Sequence, residues 1–143
     1  MRLSIPCKIT YSAEDECWYV ESTPGLYAGL MTYGDSLEHA KEMAAEALTG
    51  LLETLMDEGR EIEVPTLPKG KHWYAIEPAP SVAFALWLRR RRKESGLTLS
   101  EVADRLGVKY QVYQKLENPE TANPTLKTLK RLEKVFGEEL VAV

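Results

Sequence analysis

The chain has 143 residues, 44% hydrophobic and 28% charged, with a net charge of −4. That is enough for one domain or two small ones; its two cysteines exclude a disulfide scaffold, and no apolar run reaches the ~18 residues of a membrane span. The net charge hides a division. Residues 1–80 carry 6 Lys/Arg and 14 Asp/Glu, net −8, whereas residues 81–143 carry 12 and 8, net +4. Such asymmetry suits a cationic partner for the first half and nucleic acid for the second. No secretory signal opens the sequence, so the expected location is the cytoplasm.

Leu3, Ile5, Cys7, Ile9 and Tyr11 alternate with polar residues, the period of a strand with one buried face. Pro6 cannot donate to a ladder, which predicts an edge strand or a bulge. A polar turn over Ser12–Glu16 leads to a second strand over Cys17–Ser22, and Thr23-Pro24-Gly25 to a third over Leu26–Tyr33, irregular at Gly29. Cys7 and Cys17 fall on neighbouring strands, where they can face each other; buried reduced thiols are the expected state. A helix capped by Asp35 or Ser36 follows, with Glu38 bonding back if Asp35 is the cap. Its apolar stripe is Leu37, Ala40, Ala44, Ala47, Leu48, Leu51 and Leu55, and Gly59 ends it. One helix across three or four strands makes a small α+β domain. Residues 66–80 are proline-rich and read as a linker, within which His72–Glu77 is apolar enough for a short strand.

The second half reads as all-helical. Ser81–Ser95 forms its first helix, with Val82, Phe84, Leu86, Trp87 and Leu88 apolar and Arg89–Lys93 a basic run open to two roles, a solvated face or phosphate contact. Thr98 caps the next helix and Glu101 is placed to complete a capping box. Val102 and Leu106 point inward, Ala103 permits close helix packing, and Gly107 makes a tight turn. The third helix places Val112, Tyr113 and Leu116 on its apolar side and leaves Tyr110, Gln111, Gln114 and Lys115 outward, side chains able to bond base edges or phosphates. Pro124 or Thr125 opens a last helix with Leu126, Leu129, Leu132 and Phe136 inward, and Leu140–Val143 reads as a terminal strand.

The string Gly96-Leu97-Thr98, Ala103, Leu106-Gly107-Val108, Leu116-Glu117-Asn118 and Asn123-Pro124 resembles the helix-turn-helix of the Cro and phage-repressor family. The resemblance implies a DNA reader with contacts at Thr98, Tyr110, Gln111, Gln114 and Lys115; Lys109 stands where many relatives carry a small polar residue and is a candidate phosphate contact of this chain. It also implies a partly buried ion pair between Arg92 and Glu117 that fixes helix packing. Leu99 stands where many relatives carry Gln.

The first half resembles the HicB antitoxins through Cys17-Trp18-Tyr19-Val20-Glu21, Pro24-Gly25, Gly34-Asp35-Ser36-Leu37-Glu38, the helix run over 40–58 and Gly59-Arg60-Glu61-Ile62 with Pro65. That resemblance implies a degenerate ribonuclease-H-like domain that binds a small basic HicA-like ribonuclease toxin, joined to a domain that represses its own operon. The implied domains are 1–65 for toxin binding, 66–80 as linker and 81–143 for operator DNA. The expected toxin contacts are Glu14, Asp15, Glu16, Trp18, Tyr19 and Glu21, with Trp18 and Tyr19 on opposite faces of their strand. The expected assembly is a homodimer or tetramer, with the terminal strand pairing between chains, and no cofactor.

Two other readings are weighed. A stand-alone repressor sensing a small ligand requires a pocket beside Trp18 and Tyr33. A working nuclease requires carboxylates converging on metal ions, from Asp15, Glu21, Asp35 and Glu38, and no spacing among them forces convergence. His39 and His72 have no ligand or triad spacing around them, so ordinary structural roles are expected.

Overall fold

The structure, a computed structural model, describes residues 3–140 apart from Pro24, Ala28 and the side chain of Leu26. It divides into two compact units, residues 3–79 and the chain from Pro80 onward. The architecture is α+β, as the sequence patterns predict: an antiparallel sheet with one long helix, then four shorter helices.

In the first unit, strands β1 (Ile5–Ser12), β2 (Cys17–Ser22), β3 (Met31–Gly34) and β4 (Trp73–Ile76) are ordered β3-β2-β1-β4. Ile5, Cys7, Ile9 and Val20 are fully buried on one face, where the period-two pattern puts them. The first strand is therefore central, not an edge. Pro6 is tolerated because it lies one residue before the pairing with β2 begins, so β1 there has only β4 beside it. Trp73–Ile76, expected inside a linker, is a full member of the sheet, with Ile76 opposite Ile5 and Tyr74 opposite Cys7.

The third strand is shorter than its apolar run. Gly25 and Gly29 take left-handed backbone angles, φ +90° and +88°, and Gly25–Tyr27 forms a single 3-10 turn in place of extended chain. Tyr27 is thereby turned inward, and its hydroxyl donates to the Glu63 carbonyl at 2.8 Å.

Helix α1 (Leu37–Asp57) is capped by Ser36, whose hydroxyl accepts from the His39 amide at 3.0 Å. The Asp35 amide donates to His39 Nδ1 at 3.0 Å, and Glu38, placed to bond back only with Asp35 as the cap, lies beside Lys41. Its buried stripe is Ala40, Ala44, Leu48, Leu52, Leu55 and Met56. Over 21 residues the helical period shifts the buried side from Ala47 and Leu51, which are half-buried, to Leu52 and Met56. The helix start lies so close to β3 that a Cβ on Gly34 would come within 2.3 Å of the Ala40 amide nitrogen.

The two cysteines do not face each other. Cys7 is paired with Ser22 and Cys17 with Ser12, at opposite ends of the β1–β2 ladder and on opposite faces, and both are free thiols. Burial pushes the Cys7 thiol up to about 11, which lowers its reactive thiolate fraction near pH 8 about a hundred-fold. Iodoacetamide at pH 8 is accordingly expected to alkylate Cys17 at least tenfold faster than Cys7, read by peptide mass spectrometry. Equal rates would contradict the burial of Cys7.

The second unit holds α2 (Pro80–Glu94), α3 (Leu99–Leu106), α4 (Tyr110–Leu116) and α5 (Leu126–Phe136). Phe84, Leu88, Val102, Ala103, Leu106, Tyr113, Leu116, Leu132 and Phe136 make its core. Thr125 caps α5 by accepting from the Thr128 amide. Leu126, expected inward, is 71% exposed, because the inward stripe of α5 begins a turn later at Leu129. The terminal strand expected over Leu140–Val143 lies, beyond Leu140, outside the described residues. Among those described, no helix is long and apolar enough to cross a membrane.

Candidate nucleic-acid interface

Helix α3 starts at a reciprocal cap. The Thr98 hydroxyl accepts from the Glu101 amide and the Glu101 carboxylate accepts from the Thr98 amide, each at 3.1 Å. It ends at Gly107, φ +75°, a left-handed position that favours glycine. Val108 then donates back to the Ala103 carbonyl at 3.0 Å, and Lys109 starts α4. The small Ala103, 2% exposed, sits where this turn folds α4 against α3.

The orientation of α4 is set by a buried network. Tyr113 is fully buried and its hydroxyl donates to Glu117 at 2.5 Å. Glu117, 4% exposed, accepts two bonds from Arg92, from Nε at 2.7 Å and Nη2 at 3.0 Å, the bidentate fork of a guanidinium on a carboxylate. Arg92 also donates to the Leu97 carbonyl at 3.2 Å, and Arg89 to the Glu117 carbonyl at 3.0 Å. The hydrogen bond to Glu117 raises the pKa of Arg92, while burial, reinforced by Glu117, holds the Tyr113 phenol protonated well above its ordinary range. The structure thus brings Arg92 and Glu117 together and adds Tyr113, which the sequence marked only as apolar, and Arg89, which it marked only as part of the basic run.

With Tyr113 and Leu116 inward, α4 presents the rest of its surface to solvent. Lys109, Tyr110, Gln111, Gln114 and Lys115 are all exposed. Val112, expected on the apolar side, is 49% exposed and joins this surface, because a seven-residue helix needs only Tyr113 and Leu116 to reach the core. Thr98 is exposed, with its hydroxyl engaged in the cap. Beside α4 runs a groove of about 390 Å³ lined by Arg89, Lys93, Leu99, Gln114, Lys115 and Asn118. Glu117 is matched by Arg92, so this lining is cationic.

The basic run on α2 has split roles. Arg89 and Arg92 reach the end of α4, and Arg91 reaches the end of α5, donating to the Phe136 carbonyl at 3.0 Å and pairing with Glu138 at 3.0 Å. Arginines near the last carbonyls of a helix satisfy groups that otherwise lack partners. Periodicity cannot reveal this, because the partners lie 25 to 45 positions away.

The acidic candidates lie in the first unit. Glu14, Asp15 and Glu16 form the exposed β1–β2 turn, with Glu16 in a left-handed conformation, φ +54°. The Tyr19 hydroxyl donates to Asp15 at 2.7 Å, which holds the phenol proton on far above its usual range. Trp18 and Tyr19 point to opposite faces, as expected, but both are half-buried where alternation predicts one in the core and one exposed. Trp18, level with Val20 on the helix-covered face, packs on Tyr11 at 5.2 Å; Tyr19 lies on the other face, 6.5 Å from the Tyr33 ring. Glu21 shares the face of Tyr19, opposite Lys8 and Met31. The carboxylates weighed for metal chemistry are dispersed: Asp15 at the hairpin tip, Glu21 on β2, Asp35 and Glu38 at the start of α1.

These helices define a helix-turn-helix domain, and residues 88–143 match the family described as helix-turn-helix. The chain is also 33% identical over 103 residues to Antitoxin HicB 1 of Photorhabdus laumondii subsp. laumondii. The alignment takes in 72% of this chain and 64% of that protein, so the chain spans less than two thirds of the relative's length. It is homologous to a HicB antitoxin and carries a carboxy-terminal helix-turn-helix.

Proposed function

We propose that the chain is the antitoxin of a toxin–antitoxin pair and a DNA-binding regulator of its own operon. The acidic unit neutralises a small basic HicA-like toxin that cleaves mRNA, and the basic unit binds operator duplex. It acts as a binding protein, not an enzyme, in the cytoplasm, where transcripts and operator are both present. The observation that carries the reading is α4: a buried Arg92–Glu117–Tyr113 network fixes one side of a short helix whose other side presents Tyr110, Gln111, Gln114 and Lys115. A helix held this way enters a major groove as a rigid reader. Gln111 and Gln114 suit base edges, and Lys115 and Lys93 along the groove suit phosphates. Such readers act as two-fold dimers on half-sites about 34 Å apart, so the operator-binding species is at least a homodimer.

Removing residues 81–143 is the deciding experiment. The remaining unit should still protect cells from the toxin while losing every shift of operator DNA; a truncated protein that still shifts the operator would sink this division of roles. Finer predictions apply to α4. Gln111→Ala should cost about 1–3 kcal/mol at the cognate site and relax base preference there. Lys115→Ala should weaken binding to all sequences and lower the slope of log K against log salt by about one, measured by fluorescence anisotropy.

The ligand-sensing alternative is disfavoured by geometry. Trp18 and Tyr33, whose shared pocket it requires, lie on opposite faces of the sheet.

A further inference from the structure

Among the described residues, β3 is an outermost strand, paired only with β2. Soluble sheets protect such edges with charges, prolines or bulges. β3 reads Met31-Thr32-Tyr33-Gly34 and has none of these. Its two large side chains point to the face that α1 does not cover, Met31 66% and Tyr33 61% exposed, level with Glu21 and Tyr19 of β2. Carboxylates frame the strand at both ends. Glu21 lies opposite Met31; Asp35 follows Gly34, and the turn bearing Asp15 is held near Tyr19 by their hydrogen bond. Residues 9–40 contain six Asp/Glu and no Lys or Arg.

Resting on the antitoxin reading above, we propose that the β3 edge, with Tyr19, Met31 and Tyr33 on the uncovered face, is where the cationic toxin docks, adding an extended segment to the sheet. The unpaired edge supplies backbone bonds, and the rings and thioether supply apolar and cation–π contact for Lys or Arg side chains. The carboxylates at either end oppose positive charge on the incoming segment. A second copy is a poorer occupant, since it would bring the same six acids against this edge. On this geometry Trp18, on the other face, is not part of the contact, whereas Met31, Tyr33 and Asp35 are.

The test uses the full-length chain and, as probe, the HicA-like toxin that the reading above requires, purified separately with its nuclease activity disabled. Tyr33→Lys with Met31→Lys should weaken the complex about thirty-fold or more by calorimetry, Tyr33→Phe should restore wild-type affinity, and Trp18→Phe should leave it unchanged. In the complex, amides of β3 should gain protection from hydrogen exchange. The lysine variant's exchange pattern in β1 and α1 shows that it is folded. If the probe binds the lysine variant as tightly as wild type, or protects another surface, the docking site is wrong while the antitoxin reading stands. If the probe does not bind the wild-type chain, the antitoxin reading fails and this proposal with it. If β3 is protected by self-association without the probe, the occupant is a second copy and the proposal is overturned.

Discussion

Replacing Arg92 with alanine is expected to destabilise the helix-turn-helix unit by about 3–5 kcal/mol. The reason lies in what remains. Glu117 is almost wholly buried, and Arg92 supplies its bidentate partner and also satisfies the Leu97 carbonyl. Without the guanidinium, a carboxylate stays out of water with only the Tyr113 hydroxyl to offset it. Arg92→Lys should recover only part of the loss, because an ammonium cannot span both carboxylate oxygens and the carbonyl. Replacing both ends of the pair with apolar side chains, Arg92→Met with Glu117→Leu, should lose much less than Arg92→Ala, since no unpaired charge is left. Urea titration followed by hydrogen exchange in α3 and α4 reads this unit separately from the other. A loss below 1 kcal/mol for Arg92→Ala would mean that the network is not what holds α4.

Gly34→Ala is expected to cost the first unit about 3 kcal/mol, the upper part of the range for forcing atoms into a packed interior. The added methyl would lie 2.3 Å from the Ala40 nitrogen, 2.6 Å from its Cα and 2.7 Å from the His39 carbonyl carbon. These are backbone atoms in the first turn of α1, so no flexible side chain can move aside. The helix start would have to lift from β3, disturbing the Ser36 cap and the His39 contact with Asp35. Gly50→Ala on the same helix is the matched control, because a Cβ there meets nothing within 4 Å and alanine favours helix. Thermal melts of the two variants should move in opposite directions; a melt of Gly34→Ala within a degree of wild type would refute the close approach.

Much of this was legible in the sequence where the signal is local. The period-two run through Ile5, Cys7 and Ile9 gives a strand, and Thr98 with Glu101 gives a capped helix, because the interacting groups are two to four residues apart. Gly107 and Gly59 end helices for the same reason. What was not legible depends on chain neighbours distant in sequence. Pro6 looked like an edge marker, yet its tolerance depends on where β2 stops pairing. His72–Glu77 read as a short strand inside a linker, and Trp73–Ile76 is one; that it joins the sheet was not legible, because its partner Ile5–Lys8 is distant in sequence. Leu26–Tyr33 read as a strand irregular at Gly29, but the positive φ of Gly29 and of Gly25, just before the run, goes further, and a 3-10 turn over Gly25–Tyr27 replaces its start. The outward residues of α4 could be named from its period. The depth of Glu117, and the recruitment of Tyr113 to it, could not, since burial is a property of the packed unit.

The arginine run from Arg89 to Arg92 has a bearing on how this chain tolerates sequence drift. Three of those guanidiniums close off helix ends or clasp Glu117, and each uses more than one nitrogen or a directed Nε to do so. A conservative Arg-to-Lys exchange along the run preserves formal charge, and with it the long-range pull on a polyanion, while removing the planar donors that tie α2 to α4 and α5. Variants of that kind would keep the net +4 charge of residues 81–143, yet would have lost the scaffold that aims α4.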